Sequence, residues 1–393
     1  MRRTSQMELI RAHPRLTGIL AVLVLAVAAG FVSLQVTADR SPRPQPRDVG
    51  EESLINLTNS RNRDLDKCTP GASELASCGQ APALRGIDRW LGTPDGGPVD
   101  LADLRGKVVL IDFFAYSCIN CRRSLPQVRA WAERYRESGL EVIGVHSPEY
   151  AFERNVGNVA AAVDEAALRY PVALDSSLAT TTEYRNRYRP AMYLIDTEGT
   201  VRSIKFGEGG YARTEKQIRT LLERADPQAN LPDPTGVRAL PGAAEGTTRQ
   251  IYLSYARGER YRGTPSLRLG RSATYFVSRE QPADTYGLDG SLRVERQYIR
   301  ASGDDSQIVL SYRAAKVFAV LGYGGPATEE DPRAAGGGGA SSVRVTSPGR
   351  APRRSNVGTR PRLIELVDES APRRATVTLT LSKGVRAYAL SFG

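Results

Sequence analysis

Two cysteines, Cys118 and Cys121, stand three positions apart, and a lone carboxylate, Asp112, precedes them inside an apolar run. The Cys-x-x-Cys spacing serves two chemistries: it opens and closes a disulfide, or it supplies half of a zinc site. The flanks discriminate. Val108-Val109-Leu110-Ile111-Asp112-Phe113-Phe114 is short, apolar and rich in β-branched residues, as a buried strand is. Beyond Cys121 a helical period begins, with Leu125, Val128, Ala132 and Tyr135 on one face and Arg129, Glu133, Arg134 and Arg136 elsewhere. Cys118 is therefore expected at a helix N-terminus, where free N–H groups and the dipole favour an anion such as a thiolate. Cys121, one turn later, lies on the same side and can close a disulfide with it. Arg122 and Arg123 add positive charge. Asp112, between Ile111 and Phe113, is expected to be buried with a raised pKa and to exchange a proton beneath the pair. The plainer alternative is a solvated or ion-paired Asp at a strand end.

Strand, Asp-Phe, Cys-x-x-Cys and helix, with Pro126 inside that helix, resemble the thioredoxin superfamily. More narrowly, Tyr116-Ser117-Cys118-Ile119-Asn120-Cys121 with Ser124-Leu125-Pro126, and Val142-Ile143-Gly144-Val145-His146-Ser147-Pro148-Glu149-Tyr150, resemble the periplasmic thioredoxin-like half of DipZ-type proteins, relatives of TlpA. As a departure, Phe114 stands where the superfamily often has Trp. The resemblance runs from about residue 84 to 225 and implies catalytic roles for Cys118, Cys121 and Asp112. It also implies a cis Arg189–Pro190 bond facing Cys118, with the Arg189 backbone pairing with substrate. Tyr116, Arg189 and Pro190 are thus the expected substrate-binding residues. Electrons would come from a CcdA-like membrane donor on a separate chain, and no cofactor is expected.

The elements that must position these residues follow in order. Trp90-Leu91 and Val99–Lys107, across the Gly92–Gly97 turn residues, are expected to form a hairpin leading into the active strand. Leu140–Val145 is a second buried strand, joined by a right-handed parallel crossover. His146 and Glu149 follow at the strand edge where sites gather, although a capping or loop-fixing role is the safer expectation for both. Residues 155–170 read as a helix on Val156, Val159, Val163 and Leu168, and residues 171–175 as a short edge element. Tyr188–Asp196 is a strand that turns at Glu198-Gly199 into Val201–Phe206, and a closing helix carries Ile218, Leu221 and Leu222. Trp90 and Trp131 are expected in the core.

After residue 248 the pattern changes to short strands. The candidates are 251–255, 273–277, 307–312, 316–320 and 363–367, then Thr376–Leu381 and Ala387–Phe392 across a Ser382-Lys383-Gly384 turn. Residues 336–339 and 347–362 read as flexible loops. The expected fold is therefore an α/β thioredoxin-like domain followed by an all-β, jelly-roll-like sandwich. DipZ-type proteins end in such a module, which resembles a carbohydrate-binding fold. This half has no Trp, and a packing or docking role is the plainer expectation.

Arg2, Arg3, Arg11 and Arg15 precede an apolar run at 16–34, close to the length that spans a bilayer. An uncleaved single-pass anchor is expected, with the rest extracytoplasmic. Val36-Thr37-Ala38 resembles a cleavage site, and cleavage would make the protein secreted. The expected organisation is 1–40 anchor or signal, 41–67 linker, 68–226 thioredoxin-like, 227–248 linker and 249–393 sandwich. In an oxidising compartment Cys68 and Cys78 are expected to form a structural disulfide, a second redox pair being the sharper alternative.

Composition excludes some functions. The net charge of +11 comes mostly from arginine spread along 393 residues, without the focused face and interleaved aromatics of nucleic-acid binding. With only His13 and His146, a mixed Cys/His metal site is not expected, and a four-cysteine zinc site would need an unusual spacing. The leading expectation is an exported, membrane-tethered thiol–disulfide oxidoreductase that reduces protein disulfides. A disulfide-forming oxidase and a cell-envelope binding protein that uses the sandwich are the alternatives. Peroxide reduction would need a peroxidatic cysteine in another setting.

Overall fold

Six strands, β1 (Arg89–Leu91), β2 (Val108–Phe114), β3 (Leu140–His146), β4 (Val172–Leu174), β5 (Ala191–Ile195) and β6 (Val201–Phe206), form one sheet in the order β1-β4-β3-β2-β5-β6. β2, β3 and β4 run parallel, whereas β1, β5 and β6 pair antiparallel with their neighbours. Among the described residues four α-helices accompany it: α1 (Ile119–Tyr135), α2 (Val156–Glu165), α3 (Ala179–Glu183) and α4 (Tyr211–Ala225). A parallel strand covered on both faces reads as a continuous apolar run, and all seven residues of β2 are buried. This computed structural model describes residues 61–237, 242–278, 280–324 and 341–393. The expected membrane segment and most of the first linker lie outside the described residues. Among the described residues no helix is long and apolar enough to cross a membrane.

Alternation along β2 divides the core. Val109, Ile111 and Phe113 face a layer containing Trp90, Tyr184, Tyr193 and the disulfide-bonded Cys68 and Cys78. Val108, Leu110 and Phe114 face the layer of α1 and α4, with Val128, Trp131, Ile218 and Leu222. A period of two therefore puts Asp112 on the α1 side, the side of Cys121.

Three local expectations differ from the structure. The lead-in is no hairpin: β1 pairs with β4, some eighty residues on, a partner that local turn chemistry cannot announce. For the same reason β4 is not an edge, since β1 covers it. The helix expected over 155–170 stops at Glu165; Ala167 adopts a positive φ of 50°, and Val156 is 39% exposed instead of facing the core.

Among the described residues the regular elements of the second half are strands: β7 (Ile251–Tyr252), β8 (Gly263–Thr264), β9 (Arg271–Val277), β10 (Thr285–Val294), β11 (Ile299–Ala301), β12 (Ser306–Tyr323), β13 (Ser341–Thr346), β14 (Arg353–Val357), β15 (Arg362–Leu381) and β16 (Val385–Phe392). β12 carries β15 along one edge and β10 then β16 along the other, while β11 bridges β10 to β16. A register shift between Ala314 and Lys316 marks the bulge where the long strand changes partner. Candidates at 307–312 and 316–320 are thus one strand, as are those at 363–367 and 376–381. The Ser382–Gly384 turn joins β15 and β16, which do not pair with each other because β12 lies between them. The expected loop at 347–362 contains β14, whose polar run Arg353-Arg354-Ser355-Asn356 hides it from an apolar pattern.

The described residues belong to one compact unit. Tyr298, Phe318, Leu363, Tyr388 and Ala389 of the strand-rich half pack in the same cluster as Tyr116, Tyr150, Phe152 and α1.

Candidate active site

β2 ends at Phe114, and the chain turns through Ala115-Tyr116-Ser117 into α1. Cys118 is the N-cap of that helix: its Sγ accepts the Cys121 N–H at 3.4 Å, and its own N–H donates to the Ala115 carbonyl at 3.2 Å. The turn is held from two sides. His146 Nε2 accepts the Tyr116 N–H at 3.3 Å. The imidazole is buried, and burial first, then the Arg189 charge, lowers its pKa to about 3, so it stays a neutral acceptor. On the other side the buried Glu153 carboxylate accepts from the Ser117 N–H (3.2 Å), the Ser117 hydroxyl (2.8 Å), the Glu149 N–H (2.6 Å) and the Tyr150 N–H (3.1 Å). One carboxylate thereby fastens the approach to Cys118 to the loop after β3.

Cys118 is partly exposed, Cys121 is buried, and both are free thiols. Burial, together with its proximity to Cys118, pushes the Cys121 thiol well above the usual range. Attack by Cys121 therefore needs a base. Asp112 is fully buried, neither oxygen has a hydrogen-bond partner, and desolvation lifts its pKa to about 7 against a lowering effect of the Lys205 charge. That value suits proton exchange near neutral pH. The Arg189–Pro190 bond is cis, and the Arg189 carbonyl lies 3.8 Å from Cys118 Sγ. The Arg189 guanidinium donates to the carbonyls of Ser147 (2.7 Å) and Pro148 (3.3 Å), tying this loop to the end of β3.

Cys118, Cys121, Asp112, Arg189 and Pro190 thus come together in one place. Tyr116 turns toward the strand-rich half. It is 7% exposed, and its hydroxyl donates to the Pro361 carbonyl of the strand-rich half at 3.0 Å, because that half covers this side of the turn. Cys68 and Cys78 belong to the opposite face of the sheet from Cys118 and Cys121, which separates the two cysteine pairs. Glu149 pairs with Arg257 of the strand-rich half at 3.1 Å. Glu153 and Lys205 escaped the sequence reading, and Arg123, expected there only as added positive charge, is buried. Ala151-Phe152-Glu153-Arg154 has the composition of a surface turn, and only the reversal of the chain around it buries the carboxylate.

Residues 80–204 match the AhpC/TSA family, and residues 248–393 match the thioredoxin-like C-terminal domain. The thiol-disulfide oxidoreductase YkuV of Bacillus subtilis is 31% identical over 146 residues, 37% of this chain and 95% of that protein. The chain belongs to the thioredoxin-like thiol-disulfide oxidoreductases. Protein DipZ of Mycobacterium tuberculosis is 46% identical over 279 residues, 70% of this thioredoxin-like chain and 40% of DipZ. The chain thus spans under half the length of that relative. A solved structure of a putative thiol:disulfide interchange protein DsbE from Chlorobium tepidum aligns with 38% of the chain and 99% of its own, at 26% identity and a TM-score of 0.33.

Proposed function

We propose that this protein is an extracytoplasmic, membrane-tethered reductant of protein disulfides. The observation that carries the reading is the placement of Cys118 at the N-cap of α1, partly exposed, with Cys121 buried behind it on the side of the sheet that bears Asp112. The Cys118 thiolate attacks a substrate disulfide; that S–S bond breaks, one substrate thiolate leaves and takes up a proton, and a mixed disulfide forms. The Asp112 carboxylate takes the Cys121 proton. Cys121 then attacks Cys118 Sγ, the second substrate thiol leaves, and the Cys118–Cys121 disulfide holds the oxidising equivalents. The Arg189 carbonyl beside the cis proline offers an acceptor to the backbone of the substrate strand. Two electrons must then be returned, and a CcdA-like membrane thiol carrier on a separate chain fits that need. The strand-rich half is read as a sandwich that docks on the catalytic half.

Uncharged Ile119 and Asn120 between the cysteines favour the reducing direction over an oxidase. Equilibration of residues 41–393 with glutathione, followed by alkylation and mass measurement, tests this. A two-electron couple toward thioredoxin's value of about −270 mV supports a reductant, and one toward about −120 mV makes the protein a disulfide donor. A pair that does not titrate as a couple removes the catalytic reading. Cys121→Ser should trap the mixed disulfide as an added mass, whereas Cys118→Ser should trap none.

A further inference from the structure

The strand-rich half does more than cover the catalytic half: its backbone carbonyls take hydrogen bonds from both sides of the cysteine pair. Before Cys118, the Tyr116 hydroxyl donates to the Pro361 carbonyl at 3.0 Å. After Cys121, Arg122 donates to the Leu363 carbonyl at 3.4 Å, and Arg123 to the Phe392 carbonyl at 3.1 Å.

Arg123 is the most constrained of the three. It is 7% exposed, on the first turns of α1. Its guanidinium donates to Glu208 Oε1 at 2.9 Å and to Asn120 Oδ1 at 3.3 Å, besides the Phe392 carbonyl. Asn120 lies between the two cysteines. The other anchor is equally fixed: Gly393 exchanges backbone hydrogen bonds with Lys316 and accepts one from Ala315, at the bulge of β12. A Cβ at residue 393 would fall 2.4 Å from Arg123 Nη2, so the guanidinium occupies the space that any larger residue there would need. A continuous path therefore runs from the β12 bulge, through the end of β16, to a buried cation and into the Cys-x-x-Cys turn.

We propose that Arg123 is a positioning residue through which the strand-rich half sets the redox equilibrium of Cys118 and Cys121. The guanidinium is always charged, and its planar fork reaches three acceptors at once. These contacts are made in the dithiol state, with both cysteines free, and holding the turn at Asn120 favours that state over the disulfide, the same sense in which stabilising a reduced form makes a couple more oxidising. Loss of the link therefore moves the pair toward the disulfide.

The inference rests on the two cysteines being a redox couple, so the wild-type titration comes first. The reaction is disulfide plus two glutathione thiols giving dithiol plus glutathione disulfide, read on the full exported chain at pH 7. Arg123→Gln should shift the equilibrium toward the Cys118–Cys121 disulfide at least about fivefold, the same sense in which a reduced form loses its stabilisation. Asn120→Ala should shift it the same way, and the double variant should add little to Arg123→Gln, because both break one link. Arg360→Gln breaks another contact between the halves, with Glu165, and should stay within about twofold. If Arg123→Gln does not fold, Gly393→Ala, which crowds the guanidinium from the strand-rich side, should give the shift instead. The proposal is overturned if a folded Arg123→Gln, or Gly393→Ala in its place, stays within twofold of wild type. It is overturned equally if Arg360→Gln shifts the couple as far, or if the two single shifts simply add. A wild-type pair that fails to titrate would instead remove the oxidoreductase reading itself.

Discussion

Asp112 is buried with both oxygens unpartnered, and its folded pKa of about 7 stands above its ordinary value of 3.8. Folding therefore favours the protonated acid. The group costs nothing below pH 3.8, its penalty grows as the pH rises, and the penalty is complete above pH 7. A shift of about three units corresponds to roughly 4 kcal/mol. His146 acts in the opposite sense: its pKa is lowered from 6.5 to about 3, so it destabilises the fold as the pH falls through that interval. A raw stability profile mixes the two, and the difference between wild type and Asp112→Asn isolates the carboxyl. The variant should be more stable than wild type by about 2–4 kcal/mol at pH 8, the amide's own unmet hydrogen bonds taking part of the gain, and the gap should close near pH 4. Urea unfolding at both pH values reads it, and a gap of equal size at both would mean that burial does not raise this pKa. Asp112→Asn should also let the mixed disulfide accumulate, because Cys121 loses its base. This residue was legible in the sequence because Ile111 and Phe113 flank it within one strand. The burial of Glu153 and Arg123 was not, because what buries them is folded against them from elsewhere in the chain.

At the scale of elements, the turn before α1 depends on Glu153, which gathers two donors of Ser117 and the backbone N–H groups of Glu149 and Tyr150. Removing the carboxylate leaves those donors without their acceptor in a buried place. Glu153→Ala should therefore cost about 3–5 kcal/mol, and Glu153→Gln less, since one amide oxygen still accepts. Chemical denaturation measures the loss; a cost below about 1 kcal/mol would mean that water or backbone replaces the carboxylate. The α/β order was legible because each strand of the catalytic half carries its own apolar run and each long helix its own stripe. Pairing across long separations was not: β1 reaches β4, and β12 separates β15 from β16, while the local sequence points to hairpins in both places.

For the whole molecule, the junction of the two halves is aromatic. The Tyr388 ring centre lies 4.7 Å from that of Phe152 and 5.4 Å from that of Tyr150, and the Tyr298 ring lies beyond it at 5.2 Å, tilted by 50°. The stretch expected to link the halves, 227–248, is tied down in part: the Thr235 N–H donates to Glu215 Oε1 at 2.7 Å. Nothing in the spacing of these tyrosines distinguishes a shared core from two separate ones, because a single aromatic on a strand packs equally well within its own half. Cooperativity can distinguish them. Trp90 and Trp131 are the only tryptophans and both lie in the catalytic half, so tryptophan fluorescence reports that half alone. Tyr388 lies on β16, in the other half. Tyr388→Ala should remove about 3–5 kcal/mol, as deletion of a buried aromatic does. If the halves unfold as one, that loss moves the fluorescence transition as far as it moves the far-ultraviolet circular dichroism transition, which is weighted toward all the secondary structure. A fluorescence midpoint that stays at the wild-type value while the dichroism splits in two would mean that the halves fold independently. The hydrogen bonds from Tyr116, Arg122 and Arg123 to the strand-rich half would then form only after both halves are complete.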